Sequence, residues 1–202
     1  MFHCSFSQFN KKQLPEKLYV RLNFLGLLDG LDQNFSTGLE YKFAPRWSTG
    51  SDLAWIFNSQ YFAATQSIRG IIFRPFIRYY VHKQKRERSF VEAELHYKFV
   101  SYKIQDWLGR NPVNGVPSYE EYTTFHYNKN VFDFHLKAGN QAYLSRNDQL
   151  RMEFNYGVGV RWKWQGVKNG VYNRTGSLGN LFDPQVFTGV LSLSVRLVYA
   201  IK

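Results

Sequence analysis

The chain of 202 residues has one cysteine, Cys4, so no disulfide can form within it. No run approaches the roughly 18 apolar residues that a membrane-spanning helix needs. The nearest stretches, "NFLGLL" and "GIIF", are far too short. Amphipathic helices are missing as well, because no long segment carries the i, i+3, i+4 spacing that a helix face requires. Acidic residues are scarce beside basic ones, 15 against 26, and the formal charge is +11. The one dense basic run, Lys83 to Arg88, lies between two strand-like segments and reads as a polar turn. Most other basic residues fall at alternate strand positions, which is no stripe for a nucleic acid, so none is expected as a partner. Gly157-Val158-Gly159 lacks the third glycine and following helix of a phosphate loop.

What the chain does have is aromatic residues, 18% of the total, placed with a period of two. In "RMEFNYGVGVRWKW", Met152, Phe154, Tyr156, Val158, Val160, Trp162 and Trp164 alternate with charged, polar or glycine residues. Such alternation makes a β-strand with one apolar and one polar face. Seven other segments repeat it: "LYVRLNF", "FSTGLEYKF", "DLAWIFN", "IIFRPFIRYY", "VEAELHYKF", "VFDFHLKA" and "VLSLSVRLVY". The pattern predicts an all-β fold of eight antiparallel strands in an up-and-down meander. Residues 1–15 form a separate N-terminal segment and 16–202 one barrel domain. "MFHCSFSQ" reads as the remnant of an export signal, lacking the basic region and full apolar core of a complete one.

Three features predict that the apolar face points outward, to lipid, making the barrel transmembrane. First, the polar face carries both charge signs at mid-strand. Arg74 and Arg78 precede the strand bearing Glu92, Glu94 and His96. Asp133, His135, Glu153, Arg161 and Arg196 occupy equivalent positions further on, and together these ten residues are expected to form a lumenal network. Charges in a narrow lumen must satisfy one another, whereas on a solvated face they need no partner. Second, Gly38, Gly157 and Gly159 lie on that same face, where small residues relieve crowding inside a small barrel. Third, the apolar stripes finish in rings such as Tyr41, Tyr79, Tyr199, Phe99 and Trp164, as interfacial girdles do. Connector lengths agree, the longer ones tending to one end. Pro75 is the exception, a mid-strand residue that cannot donate to a ladder.

"RPFIRYY" followed by "FVEAELHYKF", then "FDFHLKAGNQAYLSRNDQLRMEFNYGVGVRW" and a last apolar strand, resembles the small OmpA-type eight-stranded barrels. Among these it is most similar to the uncharacterised outer-membrane families of Gram-negative bacteria. The resemblance implies location in the cell outer membrane. Its partners would be outer-membrane lipid, lipopolysaccharide, or another outer-membrane or periplasmic protein. The chain departs from the family by ending "YAIK" instead of on an aromatic residue.

Some such barrels modify lipid A with a His and Ser on one strand, but His96, His126 and His135 are not followed by a His-x-Ser arrangement. No catalytic residue, metal or cofactor is therefore expected. His96 and His135 with Asp133 have the chemistry of a metal site, and a place in the polar network is the reading preferred. The expected function is a structural or interaction barrel using its fifth and seventh connectors, roughly 104–130 and 166–185, as contact surfaces. The alternatives are a soluble, lipocalin-like carrier of an apolar ligand, a lipid A-modifying barrel enzyme and a passive pore. Inward charges at Arg74, Arg78, Glu92 and Glu94 would favour the first, outward charges the carrier.

Overall fold

The computed structural model describes residues 17–28, 32–62, 64–83, 87–114, 116–145, 149–168, 170–172 and 187–201. The segment assigned above to an export signal lies outside these residues. The strands are β1 (Leu18–Asn23), β2 (Asp32–Ala44), β3 (Trp47–Ser59), β4 (Thr65–Lys83), β5 (Glu87–Arg110), β6 (Tyr119–Tyr143), β7 (Leu150–Val167) and β8 (Phe187–Ile201). One 3-10 turn, Leu25–Leu28, is the only helical element among the described residues. Each strand pairs antiparallel with the next, and β1 closes on β8, so the meander is a sealed barrel.

The register fixes the barrel's dimensions. Followed from pair to pair, Leu18 leads through Tyr41, Thr49, Ile77, Ala93, Leu136 and Val158 to Leu191. Leu18 itself pairs with Ile201, ten residues further along β8. Eight strands with that stagger tilt by about 40° and leave room inside for side chains only. Pro75 is accommodated without a bulge. It keeps its place opposite Ser51 of β3, while the ladder to β5 skips from Phe73 to Phe76 with no change of register.

The fifth connector is mostly strand, contrary to the loop expected over 104–130. All 24 residues of β5 pair with β6, and only residues 111–118 separate the two strands. This hairpin projects beyond the barrel, joined by Gly109–Val171 backbone hydrogen bonds of 3.0 and 2.9 Å. The β2–β3, β4–β5 and β6–β7 connections fall at one end, and the hairpin at the other.

Charged side chains line the barrel's inner face and large apolar ones its outer face. Glu40, Arg78, Glu153 and Arg196 are buried, whereas Leu53, Tyr156, Val158 and Leu193 are exposed, Leu191 at 87%. The arrangement changes up the long hairpin. In β5, Val91, Leu95 and Tyr97 face out and Glu92 and Glu94 face in. From Val100 to Gln105 the code inverts, with Trp107 an exposed ring beyond it. Val100, Tyr102, Ile104 and Leu108 are buried, while Lys103 and Gln105 are exposed. On β6, Phe125 and Tyr127 are likewise buried between exposed Thr124, His126 and Asn128. These inward apolar residues join Ile56, Tyr61, Phe62 and Tyr172 in one cluster that closes the hairpin end.

Candidate functional site

The interior is built around three arginines. The alternation of β1, β4 and β8 aims Arg21, Arg78 and Arg196 at the barrel axis, where each is at most 1% exposed. Arg78 donates from Nε to Glu92 Oε2 at 2.9 Å and from Nη1 to Glu40 Oε2 at 3.2 Å. It reaches Glu153 by Nη1 to Oε2 at 2.7 Å and Nη2 to Oε1 at 2.8 Å. Arg196 donates to Glu153 Oε1 at 3.0 Å and Glu94 Oε2 at 3.2 Å, and lies 3.3 Å from Asp52 Oδ2. Arg21 lies 3.6 Å from Asp52 and 3.5 Å from Glu153, with its guanidinium carbon 3.9 Å from the centre of the Phe76 ring. Each charge thus faces several of opposite sign, the condition under which buried ions become tolerable. Glu153 gains two further donors, Gln141 at 2.8 Å and Asn155 at 3.2 Å.

A second layer sits nearer the hairpin end. Arg161 holds Asp133 through two hydrogen bonds, 2.9 and 2.8 Å. His96 Nδ1 faces Asp133 Oδ2 at 3.5 Å. Lys137 donates to Glu94 Oε1 at 2.6 Å, and His135 Nδ1 lies 3.7 Å from that oxygen. Lys98 pairs with Asp32, which also accepts from the Tyr102 hydroxyl at 3.2 Å.

All ten residues expected in the lumen point inward. Arg78, Glu92, Glu94, Glu153 and Arg196 form one linked group, and His96, Asp133, His135 and Arg161 lie in the layer above it. Arg74 is set apart: among the described residues it meets no carboxylate within 4 Å and donates instead to Ser36 at 3.4 Å. Sequence reading missed Arg21, Glu40 and Asp52 as members of the network, together with Lys98, Asp32 and Lys137. All six sit on inward positions of their strands, so strand phase alone was the signal that could have found them.

The three glycines are where space is needed. A Cβ at Gly38 would stand 2.0 Å from Asp52 Oδ1, at Gly157 2.8 Å from Lys137 Cγ, and at Gly159 2.3 Å from His135 Cδ2. Outside, rings meet near both ends of the barrel. Trp47 packs on Tyr79 at 4.9 Å, and Trp162 on Phe132 and Phe187 at 6.2 and 5.2 Å. Above the arginines a cavity of about 430 Å³ is bordered by Asn23, Asn34, Arg74, Glu94, His96 and His135.

These features define a closed, eight-stranded antiparallel barrel with a charge-filled interior and an apolar exterior. The profile of the family described as "Protein of unknown function (DUF3575)" matches residues 1–201, and the chain belongs to that family. No curated protein and no solved structure matches it.

Proposed function

We propose that this protein is an integral, non-enzymatic barrel of the Gram-negative outer membrane, of the small OmpA-like kind. It would hold its projecting hairpin toward lipopolysaccharide or another envelope protein. The observation that carries the reading is the inversion of the alternation beyond Phe99. A strand bathed in water throughout has no reason to exchange apolar-out for polar-out partway along. A strand leaving hydrocarbon for water must do so. The outward stripe from Met152 to Trp162 on β7 covers about 25 Å of barrel height at this tilt, close to the apolar band of such barrels. The paired rings near both ends correspond to interfacial girdles, and the end opposite the projecting hairpin, with its two-residue β2–β3 turn, to the periplasmic side.

The inward charges speak against the soluble carrier, which would need an apolar interior. The aromatic cluster at the hairpin end and the linked arginines occupy interior space that a pore would need open. Gel mobility with and without boiling, after extraction from carbonate-washed membranes, tests the proposal. An outer-membrane barrel stays with the membrane and shifts on heating. Recovery in the soluble fraction with no shift overturns it.

A further inference from the structure

We infer that Glu94, His96 and His135 form a binding site for a divalent first-row transition-metal ion, for which Zn²⁺ is the natural probe. Glu94 and His96 lie two residues apart on the inward face of β5, and β6 places His135 directly opposite Glu94. One ligand atom from each of the three lies within 4.8 Å of the other two. His135 Nδ1 and His96 Nε2 are buried and have no hydrogen-bond partner among the described residues. Two imidazole nitrogens and a carboxylate are a donor set suited to zinc and its neighbours. Ligands about 2.1 Å from a tetrahedral ion stand about 3.4 Å apart, so the side chains need close in by roughly 1.4 Å at most.

The surroundings are those of a built site. Asp133 faces His96 Nδ1 and is itself clamped by Arg161. A carboxylate behind one ring nitrogen keeps the proton there and leaves the other nitrogen's lone pair for a metal. Gly159 opposite His135 leaves the space that the ring occupies, since a Cβ there would lie 2.3 Å from Cδ2. Lys137 and Arg196 neutralise Glu94 without an ion, and a metal at Oε1 displaces the Lys137 ammonium from it. The remaining coordination positions open onto the cavity of about 430 Å³. Asp133 stands behind the ligands in this arrangement, and Glu94 takes the place the sequence suggested for it.

The test is a titration of the folded, chelator-treated full chain, carrying a histidine-free tag, with Co²⁺ followed by Zn²⁺. One Co²⁺ per chain should bind with visible absorption bands and be displaced by Zn²⁺. His96→Gln and His135→Gln, neutral and polar, should abolish saturable binding, and Asp133→Asn should weaken it by about 10–100-fold. His126→Ala, on an exposed outward position of the hairpin, should leave it unchanged. The β-sheet circular dichroism of each variant, lost cooperatively on heating, reports folding separately. No saturable binding by the folded protein, binding that survives in folded His135→Gln, or loss with His126→Ala overturns the inference. None of these outcomes depends on where the barrel resides.

Discussion

Arg78 and Glu153, 75 residues apart in the chain, meet at the barrel axis through two hydrogen bonds of 2.7 and 2.8 Å. Neither strand is adjacent to the other, so this contact ties opposite walls of the barrel together. Glu153 also serves Arg196, Gln141 and Asn155, so one carboxylate holds several donors in place.

Replacing Glu153 with Gln strands buried guanidinium charge. Breaking a buried pair from one side costs about 3–5 kcal/mol. The control is Glu121→Gln, which breaks the exposed Arg110–Glu121 pair of 2.8 Å and should cost under about 1 kcal/mol. The urea midpoint of the folded gel band distinguishes the two, and equal midpoints would refute the central role of Glu153.

Gly159→Ala forces a Cβ against His135 and the Phe134 carbonyl, each at 2.3 Å. Overpacking of this sort costs about 1–3 kcal/mol. Gly189→Ala meets nothing within 4 Å and should change stability by no more than about 0.5 kcal/mol. Equilibrium unfolding of both variants in detergent measures the contrast.

An outward arginine should be costly at one height and harmless at another on the same strand. Leu95→Arg, in the apolar band of β5, should destabilise the barrel in vesicles by about 2–4 kcal/mol. Gln105→Arg, on the exposed outward face past the inversion, should cost close to nothing. In detergent-free refolding into vesicles, similar losses at both positions would count against a lipid boundary between them.

The two ends should lie on opposite sides of the membrane. In a Cys4→Ser background, Asn114→Cys at the hairpin tip should react in intact cells with a maleimide that cannot cross membranes. Arg46→Cys, in a short turn at the other end, should react only after lysis. Labelling of Arg46→Cys alone in intact cells would invert the proposed orientation.

Much of the architecture was legible because side-chain alternation is local. The stretch Arg151 to Trp164 declares its two faces without reference to any other strand, and all eight strands carry a similar signature. The ends of β5 and β6 were hidden for a physical reason. Tyr102 and Ile104 continue the alternation with polarity exchanged, and Gly109, Pro112 and Pro117 surround the turn, so the stretch resembled a loop. The seventh connector, residues 173–186 of it, lies outside the described residues. The network was legible as a set of inward residues but not as pairs. Which arginine meets which carboxylate depends on the stagger accumulated around the sheet, and no single segment encodes that. Arg78 finds Glu92 on the adjacent strand, as local reasoning suggests, while Arg74 on the same strand finds Ser36.

The most direct test is a spin-label scan of outward positions along β5 in reconstituted vesicles: Val91, Ala93, Leu95, Tyr97, Phe99, Ser101, Lys103 and Gln105. Because all eight point away from the lumen, labelling leaves the charge network intact. Collisions with oxygen should dominate from Val91 to Phe99, and collisions with a water-soluble nickel chelate from Lys103 onward, crossing near Ser101. Water accessibility at all eight positions would contradict a lipid-facing exterior.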